Sequence, residues 1–164
     1  MNPIIENALS ELIISEKNNV DFFRRAAEMV RDDGTRQVFE LLAGEGIGYL
    51  HVFFTIYLGS EAGNISKILT KRSPDNNYPP YRALLGKADS SSCEQQALEL
   101  SLQEVQSSIN LYTTLANSFR NPRLCAIFRR ALRKAYKYYE IIQAEYIRVL
   151  GLFDPLADNA HGCA

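Results

Sequence analysis

The sequence predicts an all-α protein, an antiparallel four-helix bundle with one long crossover between its second and third helices. Three observations lead there. Apolar residues recur at helical spacing in four separate stretches. Two of these stretches echo the other two: FELLAGEGIGYLHVF from Phe39 and FRRALRKAYKYYEII from Phe128 lie 89 residues apart, and the same offset links Ala8 to Ala97, Leu9 to Leu98, Val20 to Ile109, Phe23 to Tyr112 and Ala27 to Ala116. Between the two copies, residues 59–90 lose the period and collect Gly63, Pro74, Pro79, Pro80 and Gly86. A long connection lets the third helix start at the same end as the second, whereas short turns within each pair enforce antiparallel neighbours.

The first helix is expected to begin at Asn2-Pro3, because Asn caps free backbone N–H groups and Pro at the first helical position loses nothing by lacking its own. Its inward stripe is Ile5, Leu9, Leu12, Ile13, Val20, Phe23, Ala27 and Val30, ending at the Arg31-Asp32-Asp33-Gly34 turn. Glu16 falls inside that stripe, where a carboxylate needs a partner or a proton. The second helix runs from about Thr35 to Leu58 and turns Val38, Phe39, Leu42, Gly46, Tyr49 and Phe53 inward. Gly44, Gly46 and Gly48 each weaken it by about 1 kcal/mol relative to Ala, so something must offset roughly 3 kcal/mol of lost propensity. AGEGIG is not read as a phosphate loop, since no strand precedes it and no helix begins after it.

Within the crossover a short helix is expected at Ile65 to Lys71. Ser91-Ser92-Cys93-Glu94 then has capping-box spacing for the third helix, which turns Leu98, Leu102, Val105, Ile109, Tyr112 and Ala116 inward and ends near Phe119. Asn121-Pro122 repeats the Asn-Pro start for the fourth helix, with Phe128, Leu132, Ala135, Tyr138, Ile142 and Tyr146 inward and fraying near Gly151. One domain is expected over residues 1–150, with 151–164 a loosely held tail.

Composition narrows the function classes. With 18 basic and 19 acidic residues, net charge gives no reason to expect nucleic acid or a membrane surface as partner. No stretch reaches the roughly 18 unbroken apolar residues of a spanning helix, so a soluble cytoplasmic protein is the expectation. Cys93, Cys125 and Cys163 are odd in number and far apart, which fits neither a disulfide framework nor paired CxxC metal loops. They read as free thiols, with Cys125 packed inside.

Two helix pairs, the long middle connection and the F-x-x-L or F-x-x-A frame opening the core of each even-numbered helix resemble the rubrerythrin branch of the ferritin-like superfamily, over about residues 5 to 150. The resemblance implies a di-iron centre held by a Glu seven residues before an aromatic on each odd helix and by a Glu-x-x-His on each even helix, its His ten residues after the Phe. Carried onto this chain, those positions are Glu16, Val105, Gly46 with Tyr49, and Ala135 with Tyr138. Only Glu16 matches the frame, and the other five positions hold groups unsuited to a di-iron site. Glu45, Glu104 and His51 lie near the frame but point elsewhere, because one residue turns a helix by about 100°. Each even helix has exchanged its Glu and His for a small residue followed by a Tyr, and a phenol is bulky enough to fill vacated space.

The expected function is therefore that of a degenerate rubrerythrin-like protein with no di-iron cofactor, serving binding, assembly or regulation and not catalysis. The alternative is a di-iron oxidoreductase, reducing peroxide or oxidising iron through an unusual ligand set. Without iron, the Glu16 carboxylate is expected to accept from the hydroxyl of Tyr49 or Tyr138, with Tyr112 in reserve. A homodimer or larger assembly is expected through the second helix, whose outer stripe Leu41, Gly44, Gly48, Val52 and Thr55 is small and apolar. The fourth helix carries Arg129, Arg130, Arg133, Lys134 and Lys137 as an outward basic stripe, joined by Arg120 and Arg123. That stripe suits an acidic protein partner, or is simply solvated.

Overall fold

In the computed structural model, which describes residues 3–57, Ala83 and residues 93–151, the chain forms four long helices and, among those residues, no strand. They are α1 (Pro3–Met29), α2 (Asp33–Tyr57), α3 (Cys93–Ser118) and α4 (Pro122–Val149). All four contribute to one apolar core that includes Leu12, Phe22, Phe23, Phe39, Leu42, Leu98, Ile109, Phe128 and Ile142. The packed pairs are α1 with α2, α3 with α4, α1 with α3, and α2 with α4. The crossover, the short helix expected at residues 65 to 71, the Ser91-Ser92 cap and the tail lie outside the described residues.

The boundaries follow from local chemistry. Asn121 caps α4, its side-chain oxygen accepting from the N–H of Arg123 at 2.9 Å and of Leu124 at 3.4 Å, and Pro122 opens the first turn as expected. At the far end Gly151 takes a φ of +67°, the left-handed conformation that stops a helix and that glycine adopts at no steric cost. α2 begins two residues earlier than its apolar stripe indicates. Asp32 supplies the reason, since its carboxylate accepts from the Thr35 N–H at 2.8 Å and the Thr35 hydroxyl at 3.0 Å and so caps the helix.

That cap belongs to a polar cluster tying the ends of three helices together. Thr35 donates its hydroxyl to Glu145 at 2.7 Å, Arg148 bridges Glu145 and Asp32, and Glu94 at the start of α3 accepts from the N–H groups of Arg31 and Asp32 at 2.6 and 3.1 Å. The Thr35 hydrogen bond holds the Asp32 carboxyl below its ordinary range. Burial pushes Glu94 and Glu145 upward, but backbone donors at Glu94, and Arg148 with Thr35 at Glu145, outweigh it and leave both depressed. A depressed folded-state pKa contributes stability that is fully present above the unfolded carboxylate range and is lost as pH falls through the folded value. Thermal midpoints are therefore expected to fall as pH drops below about 4, and to fall less steeply in Arg148→Met than in the parent chain. Equal slopes in the two proteins would show that the cluster does not carry the acid sensitivity.

One side-chain placement differs from expectation. Cys93, not Cys125, is the buried thiol of the two described; Cys125 is half-buried and donates to the Phe119 carbonyl at 2.9 Å. Lys17 and Asp21, one turn apart on α1, are both buried and form an ion pair.

Candidate functional site

Glu16 sits in mid-helix on α1 with Leu12 one turn before it and Val20 one turn after, both in the core, and only 1 % of its surface meets solvent. Burial of a lone carboxylate costs several kcal/mol unless its charge is answered. Two groups answer it. The Tyr112 hydroxyl on α3 donates to one carboxylate oxygen at 2.7 Å, and the Lys134 ammonium on α4 pairs with the other. The Tyr112 oxygen also lies 3.1 Å from the Ser15 hydroxyl, itself 3.1 Å from Ser108, and Ser108 accepts from the Asn19 amide at 2.9 Å. Polar contacts thus run through the α1–α3 seam and on to Lys134. Burial, followed by the neighbouring Glu16 charge, pushes the Tyr112 hydroxyl well above its usual range, so it acts as a neutral donor.

The donor to Glu16 is thus the reserve tyrosine, Tyr112. Tyr138 is the other fully enclosed tyrosine, 2 % exposed, and its hydroxyl is the buried side-chain polar atom without a hydrogen-bond partner among the described residues. Burial first, then the charges of Glu16 and Glu45, drive its pKa upward. Its ring packs edge-on against Phe23, with centroids 6.0 Å apart. Phe23 is the position equivalent to Tyr112 in the duplication. The first half of the repeat therefore carries Glu16 with Phe23 and the second Val105 with Tyr112, so the acid and the hydroxyl that answers it come from opposite halves.

Lys134 corrects the reading of α4 as carrying a continuous outward basic stripe. Its side chain is 13 % exposed, and its ammonium lies 4.4 Å from the centroid of the Tyr49 ring and 4.9 Å from that of Tyr138. A four-carbon stem lets a lysine rooted beside the core deliver its charge inward while packing along aromatic faces. Arg129, Arg130 and Arg133 remain exposed, and Lys137 is exposed but paired with Glu45 at 3.1 Å.

The remaining ligand-frame positions are also assigned. Gly46, Val105 and Ala135 are buried, and Tyr49 is half-buried. The space beside Gly46 is not filled by a phenol. A Cβ there would stand 2.6 Å from a Val20 methyl and 3.9 Å from the Tyr138 hydroxyl, so an aliphatic side chain from α1 occupies it. On the outer side of α2, Leu41, Gly44, Gly48 and Val52 are all exposed, and a Cβ added at either glycine would meet nothing within 4 Å among the described residues. The Thr55 side chain lies outside the described residues. Glu104 is half-buried and His51 exposed.

Among the described residues no three His, Cys, Asp or Glu side chains stand together as a metal site, and no helix is long and apolar enough to cross a membrane. What the cluster does chemically is hold one negative and one positive charge in a nearly dry, aromatic-walled space. Sequence reasoning found the acid and missed the cation. The signal was there in principle, since Lys134 immediately precedes Ala135, a position assigned to the core. No protein-family model, curated protein or solved structure matches the chain.

Proposed function

We propose that the chain is a rubrerythrin-like, ferritin-like bundle in which an internal ion pair stands where a di-iron centre would be, and that it works by binding or assembly and not by redox catalysis. The observation that carries the reading is the Lys134 ammonium on the Glu16 carboxylate. A fixed cation repels metal cations and occupies the oxygen that would ligate them. Two irons cycling between oxidation states need several anionic ligands, and the residues at the other five positions of the frame, Gly46, Tyr49, Val105, Ala135 and Tyr138, do not fit that demand.

Contacts between helices support the one-crossover arrangement. Residue numbers run in opposite senses in each packed pair: Phe23 with Phe39 and Val20 with Gly46; Glu16 with Tyr112 and Arg31 with Glu94; Thr35 with Glu145 and Glu45 with Lys137; Phe119 with Phe128 and Glu99 with Tyr146. If α2 and α3 both oppose α1, they run parallel to each other and need a long connection. Self-association through the open stripe Leu41, Gly44, Gly48 and Val52 is the alternative to ligand binding on that face, and the two exclude each other at Gly48 and Val52.

Metal analysis tests the reading. Protein purified after growth in iron-rich medium is expected to carry no stoichiometric iron. About two irons per chain, the complement of a di-iron bundle, would establish the oxidoreductase instead.

A further inference from the structure

We infer that the depression between α2 and α4, directly outside Lys134, is a binding site for a small monocarboxylic acid with an apolar or aromatic body. This deepens the reading of the bundle as a binding protein by naming a ligand class. The depression is lined by Glu45, Gly48, Tyr49, Val52, Arg130, Lys134, Lys137 and Tyr138 and is a shallow hollow, open to solvent, of about 370 Å³, at the small end of ligand sites.

Its charges can be counted. Lys134 is matched by Glu16 and Lys137 by Glu45. Arg130 makes no ion pair among the described residues, so one positive charge is left over, which a single carboxylate answers. Arg130 and Lys134 are one turn apart on α4, a spacing that places both side chains on one side of the helix, where a single carboxylate can stand between them. The planar guanidinium presents two parallel donors that match a carboxylate, and the Lys134 ammonium has three donors, of which the Glu16 bond uses one. Tyr138, lining the same depression, holds the unpartnered buried hydroxyl.

The other wall is apolar. Val52 and the Tyr49 ring flank Gly48, and the space over Gly48, empty among the described residues, leaves room for a ring or short chain. A body seated there would cover apolar surface while its carboxylate reached Arg130 and Lys134. A phosphate would bring a second negative charge that the count leaves without a partner.

The test uses the full chain titrated with benzoate and, separately, with acetate, followed by amide chemical shifts. Saturable shifts centred on Gly48, Val52, Arg130 and Lys134 are expected. Arg130→Gln, an exposed change that leaves the core intact, is expected to weaken benzoate binding by about tenfold or more, as loss of a charge-assisted pair does. Gly48→Leu fills the floor and is expected to weaken benzoate far more than acetate. Shifts that do not saturate or that spread over the surface, or unchanged affinity in both variants, would overturn the site. So would a dimer covering Gly48 that excludes benzoate until it dissociates. None of these outcomes bears on iron content, so the site can fail while the metal-free reading stands.

Discussion

Lys134→Met is expected to destabilise the protein by about 3–5 kcal/mol, because it strands a fully enclosed carboxylate. Glu16 is 1 % exposed, and without the ammonium only the Tyr112 hydroxyl would remain on it. Removing both charges should be far milder. Glu16→Leu combined with Lys134→Met leaves no buried charge at this site, and Tyr112 keeps Ser15 at 3.1 Å as a partner. The double variant is expected within about 1 kcal/mol of the parent, since replacing a buried pair by apolar groups is often neutral or better. Urea unfolding read at constant m separates the three proteins. Near-neutral effects in both the single and the double variant would mean that Glu16 is hydrated and the pair is not structural. Glu16→Gln is not expected to be silent, because the amide satisfies Tyr112 but leaves Lys134 without its counter-charge.

The second large effect separates two glycines half a turn apart on one helix. Gly48→Ala is expected to stabilise by up to about 1 kcal/mol, the helix-propensity gain, because among the described residues nothing lies within 4 Å of the new methyl. Gly46→Ala gains the same propensity and yet is expected to destabilise by about 1–3 kcal/mol, because its methyl would sit 2.6 Å from the Val20 side chain, and a β-branched residue in a helix has little rotamer freedom with which to retreat. Val20→Ala should then rescue Gly46→Ala in part, a coupling that a double-mutant cycle measures. Two alanine variants of equal stability would show that α1 and α2 are not held at this approach. The same contact would meet any longer side chain placed at position 46, an acid included. Val20 has closed over it.

Sequence reasoning went far for the helices because their signals are local. Period-3.6 stripes, the Asn121-Pro122 start and the Gly151 stop placed the described helices within a few residues, and Glu16 was legible as buried since a whole stripe surrounds it. Its partner was not legible. Period assigns a Cα to a face, and Lys134 lies one residue, about 100°, from the buried Ala135. A short side chain at that angle would meet solvent, but a lysine stem spans it and reaches the core. The choice among Tyr49, Tyr112 and Tyr138 likewise turned on the distances between helices, where an ångström decides whether a hydroxyl bonds at 2.7 Å or stays unpartnered. The sequence by itself determined that one acid would be enclosed by four helices. Only the packing of α1 against α2, α3 and α4 decided that Val20 would fill the space at Gly46, that Tyr112 would donate, and that Lys134 would turn inward, because those outcomes depend on how far apart the helices stand and not on the order of residues along any one of them.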